Sequence, residues 1–247
     1  MVGMLKAAMK PFVPNRWISW YRLRKKISQA KKSSKYVFTQ IYAKNVWGGC
    51  KGEFNSGPGS RGTPASMYVS AVRQFISENN IGSIVDLGCG DFAIGRHISE
   101  VCANYTGVDV VQKLISQNSR VFGSESIRFE CLDIVEEELP DAQLCLIRQV
   151  FQHLSNEQIL KILPKLVKYK YVLVTEHYPD DNNVIGYNFD KIHGADTRIS
   201  NGSAVYLDKH PFCVKSTQLI LEVPMPNPDG RLDLTYSGFI RTYLVRA

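Results

Sequence analysis

No apolar run in this sequence approaches the ~20 residues that a membrane-spanning helix needs. The six cysteines, at 50, 89, 102, 131, 145 and 213, form no C-x-x-C pair. That spacing argues against a zinc ribbon or a disulfide framework. It predicts reduced, mostly buried thiols in a cytosolic protein. No His/Cys/Asp cluster has ligand spacing, so no metal is expected. There is no internal repeat. Acidic residues are absent from the first 36 positions, where Lys and Arg together number ten. The formal charge of +7 therefore belongs to a tail, and residues 37–247 carry a net −3. A nucleic-acid enzyme more often spreads its basic residues over the body, so no nucleic-acid partner is expected.

With 247 residues and 44% hydrophobic content, the chain can bury one full core. The basic tail, 1–36, interleaves Trp17, Trp20 and Tyr21 with its cations. Rings and cations in that mixture suit an anionic bilayer surface. Packing on the body and an organellar leader are the alternatives, although Lys outnumbers Arg seven to three. The expected location is cytoplasmic, on the inner membrane face. Residues 37–80 read as a cap segment. A Gly/Ser-rich loop ending in "SGPGSRG" precedes a helix over 63–79, with Thr63 as N-cap and Pro64 as first helical residue.

From residue 81 to the end the pattern alternates strand and helix. Strands are predicted at 83–87, 105–110, 127–132, 144–148 and 171–176, with helices near 94–101, 111–121 and 156–169. This predicts an α/β fold: a Rossmann-like, mostly parallel sheet with helices on both faces. "TQLILEVPMP" and "LTYSGFIRTYLVRA", joined across "NPDG", predict an antiparallel hairpin at one edge.

The turn "VDLGCGDFAIG" follows the first strand. Gly88, Gly90 and Ala93 also satisfy the loose dinucleotide fingerprint, so the turn alone leaves the ligand open. Acids narrow it. Asp109 ends the second strand, nineteen residues after Gly90, and can accept from ribose hydroxyls. Asp133 follows the third strand and can accept from an adenine amine. Asp86 lies two residues before Gly88, where a pyrophosphate would be disfavoured and an amino group favoured.

Together "VDLGCGDFAIG", "GVDVV", "FECLDI" and "RQVFQHLSN" resemble class I S-adenosylmethionine-dependent methyltransferases. The resemblance implies S-adenosyl-L-methionine as cofactor, held by Asp86, Gly88, Gly90, Asp109 and Asp133. Gln149 of "RQVFQHL" and Arg61 of "SGPGSRG" are assigned to the same ligand. Phe92 departs from the pattern, since many relatives have a third glycine there. "IYAKNVWGG", "SGPGSRG", "NFDKIHGADTRIS" and "LDKHPF" further resemble a small bacterial subgroup associated with surface-glycan and small-metabolite methylation. The expected reaction is O-methylation of a sugar, glycan or related small metabolite. Rival readings are a nicotinamide oxidoreductase and a non-catalytic cofactor-binding subunit.

Deprotonating a hydroxyl acceptor calls for a base at the carboxyl edge of the sheet. His177 after the fifth strand and His153 after the fourth are the candidates, because imidazole titrates near neutrality. Glu176 is expected to orient His177 or touch substrate. Asp190, Asp196 and Arg198 in the long insertion after the fifth strand are candidates for holding the acceptor, and His193 and His210 read as loop residues.

Overall fold

The computed structural model describes residues 32–50, 52–225 and 238–246. Nearly all of the basic tail and the whole "NPDG" turn lie outside these residues. Helix α1 (Ser34–Ala43) leads through a glycine-rich loop to α2 (Gly62–Glu78). Strands β1 (Ser83–Leu87), β2 (Asn104–Asp109), β3 (Ile127–Cys131), β4 (Leu144–Arg148) and β5 (Tyr171–Tyr178) follow. The connecting helices are α3 (Gly95–Ile98), α4 (Gln112–Phe122) and α5 (Asn156–Ile162). A hairpin of β6 (Ser216–Met225) and β7 (Gly238–Arg246) closes the described chain.

The sheet order is β3-β2-β1-β4-β5-β7-β6. The first five strands are parallel, and β7 joins β5 antiparallel. The expected edge hairpin is therefore present, with a register shift between Leu219 and Leu221. The order reverses between β2-β1 and β4. In such sheets the ligand crevice opens at that switch, beyond the carboxyl ends of the strands.

Strand alternation sorts the core into two layers. On one face Val85, Leu87, Cys145, Ile147, Val172 and Val174 pack with Phe151, Ile159 and Ile162. On the other, Ile84, Leu144, Leu146 and Leu173 pack with Tyr68, Val72 and Ile76 of α2. Helix α2 is thus part of the core, and a boundary after residue 36 falls inside α1. Helix α2 also begins two residues earlier than a Thr63 N-cap implies, with Arg61 as N-cap and no side-chain cap. Past Ile162 the predicted long helix tightens into a 3-10 segment over Leu163–Lys168, where Pro164 removes a donor. Only Cys89 and Cys145 are buried, and Cys50 and Cys213 are exposed, so the thiols are less buried than expected.

Candidate functional site

A cavity of about 400 Å³ opens at the carboxyl edge of β1, β2, β3 and β4. That volume matches a small-molecule site. Its floor begins at the turn after β1. Gly88 has φ +81°, and a Cβ there would stand 2.4 Å from Val150 Cγ2. Only glycine lets the turn pass so close to the β4 loop. The N–H groups of Gly88 and Cys89 both donate to the Val108 carbonyl, at 2.7 and 2.9 Å. This draws the turn against β2.

The three predicted acids all line the cavity. Asp86 is buried and accepts from the Tyr105 hydroxyl at 2.5 Å. Burial pushes its carboxyl up to about 6, against the pull of Tyr105 and Arg148. Asp109 is also buried; its oxygens accept from Gly90 N at 3.3 Å and Val111 N at 3.0 Å. Burial raises it to about 6 as well, against its backbone donors. Asp133 accepts from Val135 N at 3.0 Å. A carboxylate offers roughly four lone-pair sites, so each acid keeps acceptor capacity for a ligand.

Phe92 takes the position of the missing glycine with φ +61°. Its ring is buried against Tyr105, Phe122 and Phe129, with centroids 4.9–5.4 Å away. The strained backbone is held by that packing, and the packing in turn fixes the tyrosine that holds Asp86.

The "SGPGS" segment is latched over the cavity at two points. Ser56 N donates to Asp91 Oδ2 at 3.1 Å, and Asp91 N donates to Ser56 Oγ at 2.8 Å. At the other end Arg148 Nη2 donates to the Gly59 carbonyl at 2.6 Å. Arg148 also donates to Gln149 Oε1 at 3.2 Å and lies 4.8 Å over the Tyr68 ring. Sequence reasoning passed over Arg148. Its one signal is its place at the C-terminal end of the central strand β4. Gln149 lines the cavity with φ +56°. Arg61 does not line it, correcting its assignment to the cofactor. It pairs with Asp91 at 2.7 Å and fastens the cap to the glycine turn from outside.

Both histidines line the cavity. His153 stacks beside Trp47, with ring centroids 5.1 Å apart. Its Nδ1 is 3.1 Å from the Gly194 carbonyl, so Nδ1 carries the proton and donates. Nε2 then accepts from Gln152 Nε2 at 3.3 Å. Burial, with the Lys191 ammonium, pulls the imidazole down to about 4. His153 is therefore a weak base at neutral pH. His177 is buried in β5, which runs two residues further than predicted.

Three expectations about the acceptor are corrected. Glu176 does not line the cavity. It is fully buried and accepts from Val150 N, Phe151 N and Gln152 N at 2.9–3.1 Å. Burial pushes its carboxyl up to about 8, against those three donors. Arg198 is only 2% exposed. Its guanidinium donates to the carbonyls of Phe151, Gln152, Leu154 and Phe189 and to Asn156 Oδ1. It stitches the insertion to the β4 loop. Asp190 is exposed, outside the cavity, and accepts from Asn156 N at 2.8 Å. Of the insertion's candidates only Asp196 reaches the lining, with Thr197 and Ser200 beside it. His193, expected in a loop, is buried, with Nε2 2.9 Å from the Lys32 carbonyl.

Residues 85–169 match the model of the methyltransferase domain family. A 23S rRNA (uracil(747)-C(5))-methyltransferase from Yersinia pseudotuberculosis is 24% identical over 137 residues, 52% of this chain and 36% of the relative. Phosphoethanolamine N-methyltransferase from Plasmodium falciparum is 30% identical over 112 residues, 42% of each chain. The chain thus spans well under half the length of these relatives. The fold resembles N-methyltransferase NodS from Bradyrhizobium japonicum in complex with S-adenosylhomocysteine. The TM-score is 0.56 at 13% identity, covering 87% of this chain and 100% of that one. A DhpI–S-adenosylhomocysteine complex gives 0.53 at 12% identity, over 86% and 95% of the two chains. Residues 85–169 thus match a methyltransferase domain, and the described chain carries that match on a Rossmann-like sheet of the kind seen in these two S-adenosylhomocysteine complexes.

Proposed function

We propose that this chain transfers a methyl group from S-adenosylmethionine to a hydroxyl of a sugar, glycan or related small metabolite. The observation that carries the reading is the cavity: three carboxylates at successive strand ends, under a cap, in a small-molecule volume. The residues present suit this cofactor. Asp109 and Asp133 offer acceptors for ribose hydroxyls and an adenine amine. Asp86 and Arg148 oppose each other in charge across one end, which suits a zwitterionic amino acid. A nicotinamide dinucleotide would bring a pyrophosphate to a turn that already holds Asp86.

The cofactor, when bound, supplies a methyl group on a sulfonium that leaves as a neutral thioether. The chain's own work is alignment, exclusion of water and removal of one proton. His177 takes that proton from the acceptor hydroxyl. His153, with its depressed basicity, holds the acceptor wall in place through Gly194 and Trp47.

The small-acceptor reading is supported by a cavity of about 400 Å³ lined by both the cap and residues of the 195–200 segment. A nucleic-acid acceptor is the second reading, favoured by the rRNA methyltransferase relative. Incubation with methyl-labelled S-adenosylmethionine, glycan and metabolite pools, and total RNA separates them. Label in a small hydroxylated molecule is expected. Label in RNA would replace the acceptor assignment.

A further inference from the structure

The loop after β4 passes through a 3-10 turn, Phe151–His153, whose backbone is gripped from both sides. Glu176 accepts from the N–H groups of Val150, Phe151 and Gln152. Arg198 donates to the carbonyls of Phe151, Gln152 and Leu154. Two buried charged side chains thus fix one short turn. Gln152 stands at its centre, held through both its N–H and its carbonyl. It lines the cavity and is 7% exposed.

The side chain of Gln152 has one orientation. A carbonyl only accepts, so the Gly194 oxygen fixes the proton of His153 on Nδ1. Burial keeps the imidazole neutral near pH 7, which leaves a lone pair on Nε2. Only the NH2 end of an amide can donate to that lone pair, so Gln152 Nε2 faces His153 at 3.3 Å. Gln152 Oε1 is therefore turned the other way. It is buried and has no hydrogen-bond partner among the described residues. Such an atom in a cavity lining calls for a bound partner. Arg148 Nε is buried and unpartnered too. It belongs to the Asp86 end, where a donor suits the amino-acid part of the cofactor. Gln152 adjoins His153 instead, beside which stands Asp196 of the insertion.

We infer that Gln152 is a specificity-determining residue whose Oε1 accepts a hydrogen bond from an O–H or N–H group of the methyl acceptor. This inference rests on the methyltransferase reading above. The donors of the cofactor itself, its ribose hydroxyls, adenine amine and ammonium, have Asp109, Asp133 and Asp86 to meet them. An amide oxygen has no hydrogen to give, so an ether or carboxylate oxygen set against it would leave both oxygens unpaired. The site thus selects acceptors by a hydrogen donor at that point and disfavours the analogue that lacks it. His153 acts through Gln152 as a positioning residue, because its tautomer decides which end of the amide is left for the acceptor.

The test uses the full chain. S-adenosylhomocysteine binding is measured first by calorimetry. Methyl transfer is then followed from labelled S-adenosylmethionine to a dilution series of a deproteinised small-molecule extract and of total RNA. The series gives relative KM and kcat for whichever pool gains label. A wild-type chain that binds no product, or labels neither pool, overturns the methyltransferase reading and the inference with it. Gln152→Met keeps the side-chain length and removes both polar ends. It should raise the acceptor KM about tenfold with kcat and S-adenosylhomocysteine affinity within about threefold, the pattern of lost acceptor binding. It should melt close to wild type, since an unpaired buried oxygen goes with the contact to His153. Gln152→Leu repeats the loss in a second side chain. Gln152→Glu keeps an accepting oxygen in either protonation state and should hold KM within about threefold of wild type. The inference is overturned if a folded Gln152→Met or Gln152→Leu chain keeps the wild-type KM, as a buried water on Oε1 would allow. It is equally overturned if their S-adenosylhomocysteine affinity falls as far as KM rises, which would place the oxygen on the cofactor, or if Gln152→Glu is as impaired as Gln152→Met.

Discussion

Glu176 and His177 are neighbours in β5 that face opposite layers of the sheet. Glu176 shares its face with Val172 and Val174 and caps the loop after β4. His177 shares its face with Leu173 and reaches the cavity. Side chains in a strand alternate, so the carboxylate cannot orient the imidazole beside it in sequence. His177→Ala should therefore lower turnover by ~10²–10⁴-fold, the range for a positioned base. Product-cofactor affinity should change far less. Glu176→Ala should act on stability, leaving three backbone donors unpaired at a cost of about 1–3 kcal/mol for each one that stays buried and dry. Steady-state kinetics with thermal melts on both variants separate the roles. A folded Glu176→Ala protein with the turnover loss of His177→Ala would contradict this division.

Asp109 has a double task. Removing its carboxylate should weaken S-adenosylhomocysteine binding by about 1.5–3 kcal/mol, the scale for hydrogen bonds to a charged group. The Gly90 and Val111 N–H groups also lose their acceptor, so Asp109→Ala should melt at a lower temperature. Asp109→Asn keeps one acceptor oxygen and should recover most of the stability but only part of the affinity. Calorimetry on the folded variants checks this, and unchanged affinity in Asp109→Ala would place the ribose elsewhere.

Cofactor binding should depend on pH near 6. Burial raises both Asp86 and Asp109 from 3.8 to about 6. The contribution of such raised groups to stability without ligand is full below the unfolded value and lost as pH rises through about 6. The ligand has the opposite requirement, since an ammonium and ribose hydroxyls prefer ionised carboxylates. The melting shift produced by S-adenosylhomocysteine should therefore grow between about pH 5 and pH 7.5, and Asp86→Asn should flatten the growth. A shift that is constant over this window, or larger at the acidic end, would contradict the assignment.

The basic tail should bind anionic membranes. Trp17, Trp20 and Tyr21 stand among ten cations and no acid. Each cation near an anionic surface contributes about 1 kcal/mol, screened by salt. Liposome sedimentation of the intact chain should weaken with salt without vanishing, and removal of residues 1–31 should abolish it. Among the described residues no helix is long and apolar enough to cross a membrane. If the intact chain stays in the supernatant with anionic vesicles at low salt, the tail has another use.

The strands and the three acids were legible because each signal is local: a short apolar run, then an acid or glycine where the run stops. Side-chain roles in the long insertion were not legible for the opposite reason. Arg198 and Asp190 look like surface charges in a polar stretch. Yet the Arg198 guanidinium is spent on four backbone carbonyls some 9 to 47 residues away. Such partners have no local sequence mark. Glu176 was misread because the end of β5 was set two residues early. With the strand ended at Glu176, His177 becomes a loop residue free to turn back on that carboxylate, whereas in the longer strand alternation sends the two side chains to opposite faces. Trp47 and Arg148 were missed because the cap reaches the sheet only through tertiary contacts, Arg148 to Gly59 and Trp47 to His153.

Every role proposed for the site depends on the cavity holding the adenosine and amino-acid parts of S-adenosylmethionine. Its most direct test is calorimetric titration of the purified chain with S-adenosylhomocysteine and, separately, with NAD. Saturable one-to-one binding of S-adenosylhomocysteine that weakens in Asp109→Ala is expected, with NAD binding much more weakly or undetectably. Tighter binding of NAD than of S-adenosylhomocysteine would contradict it.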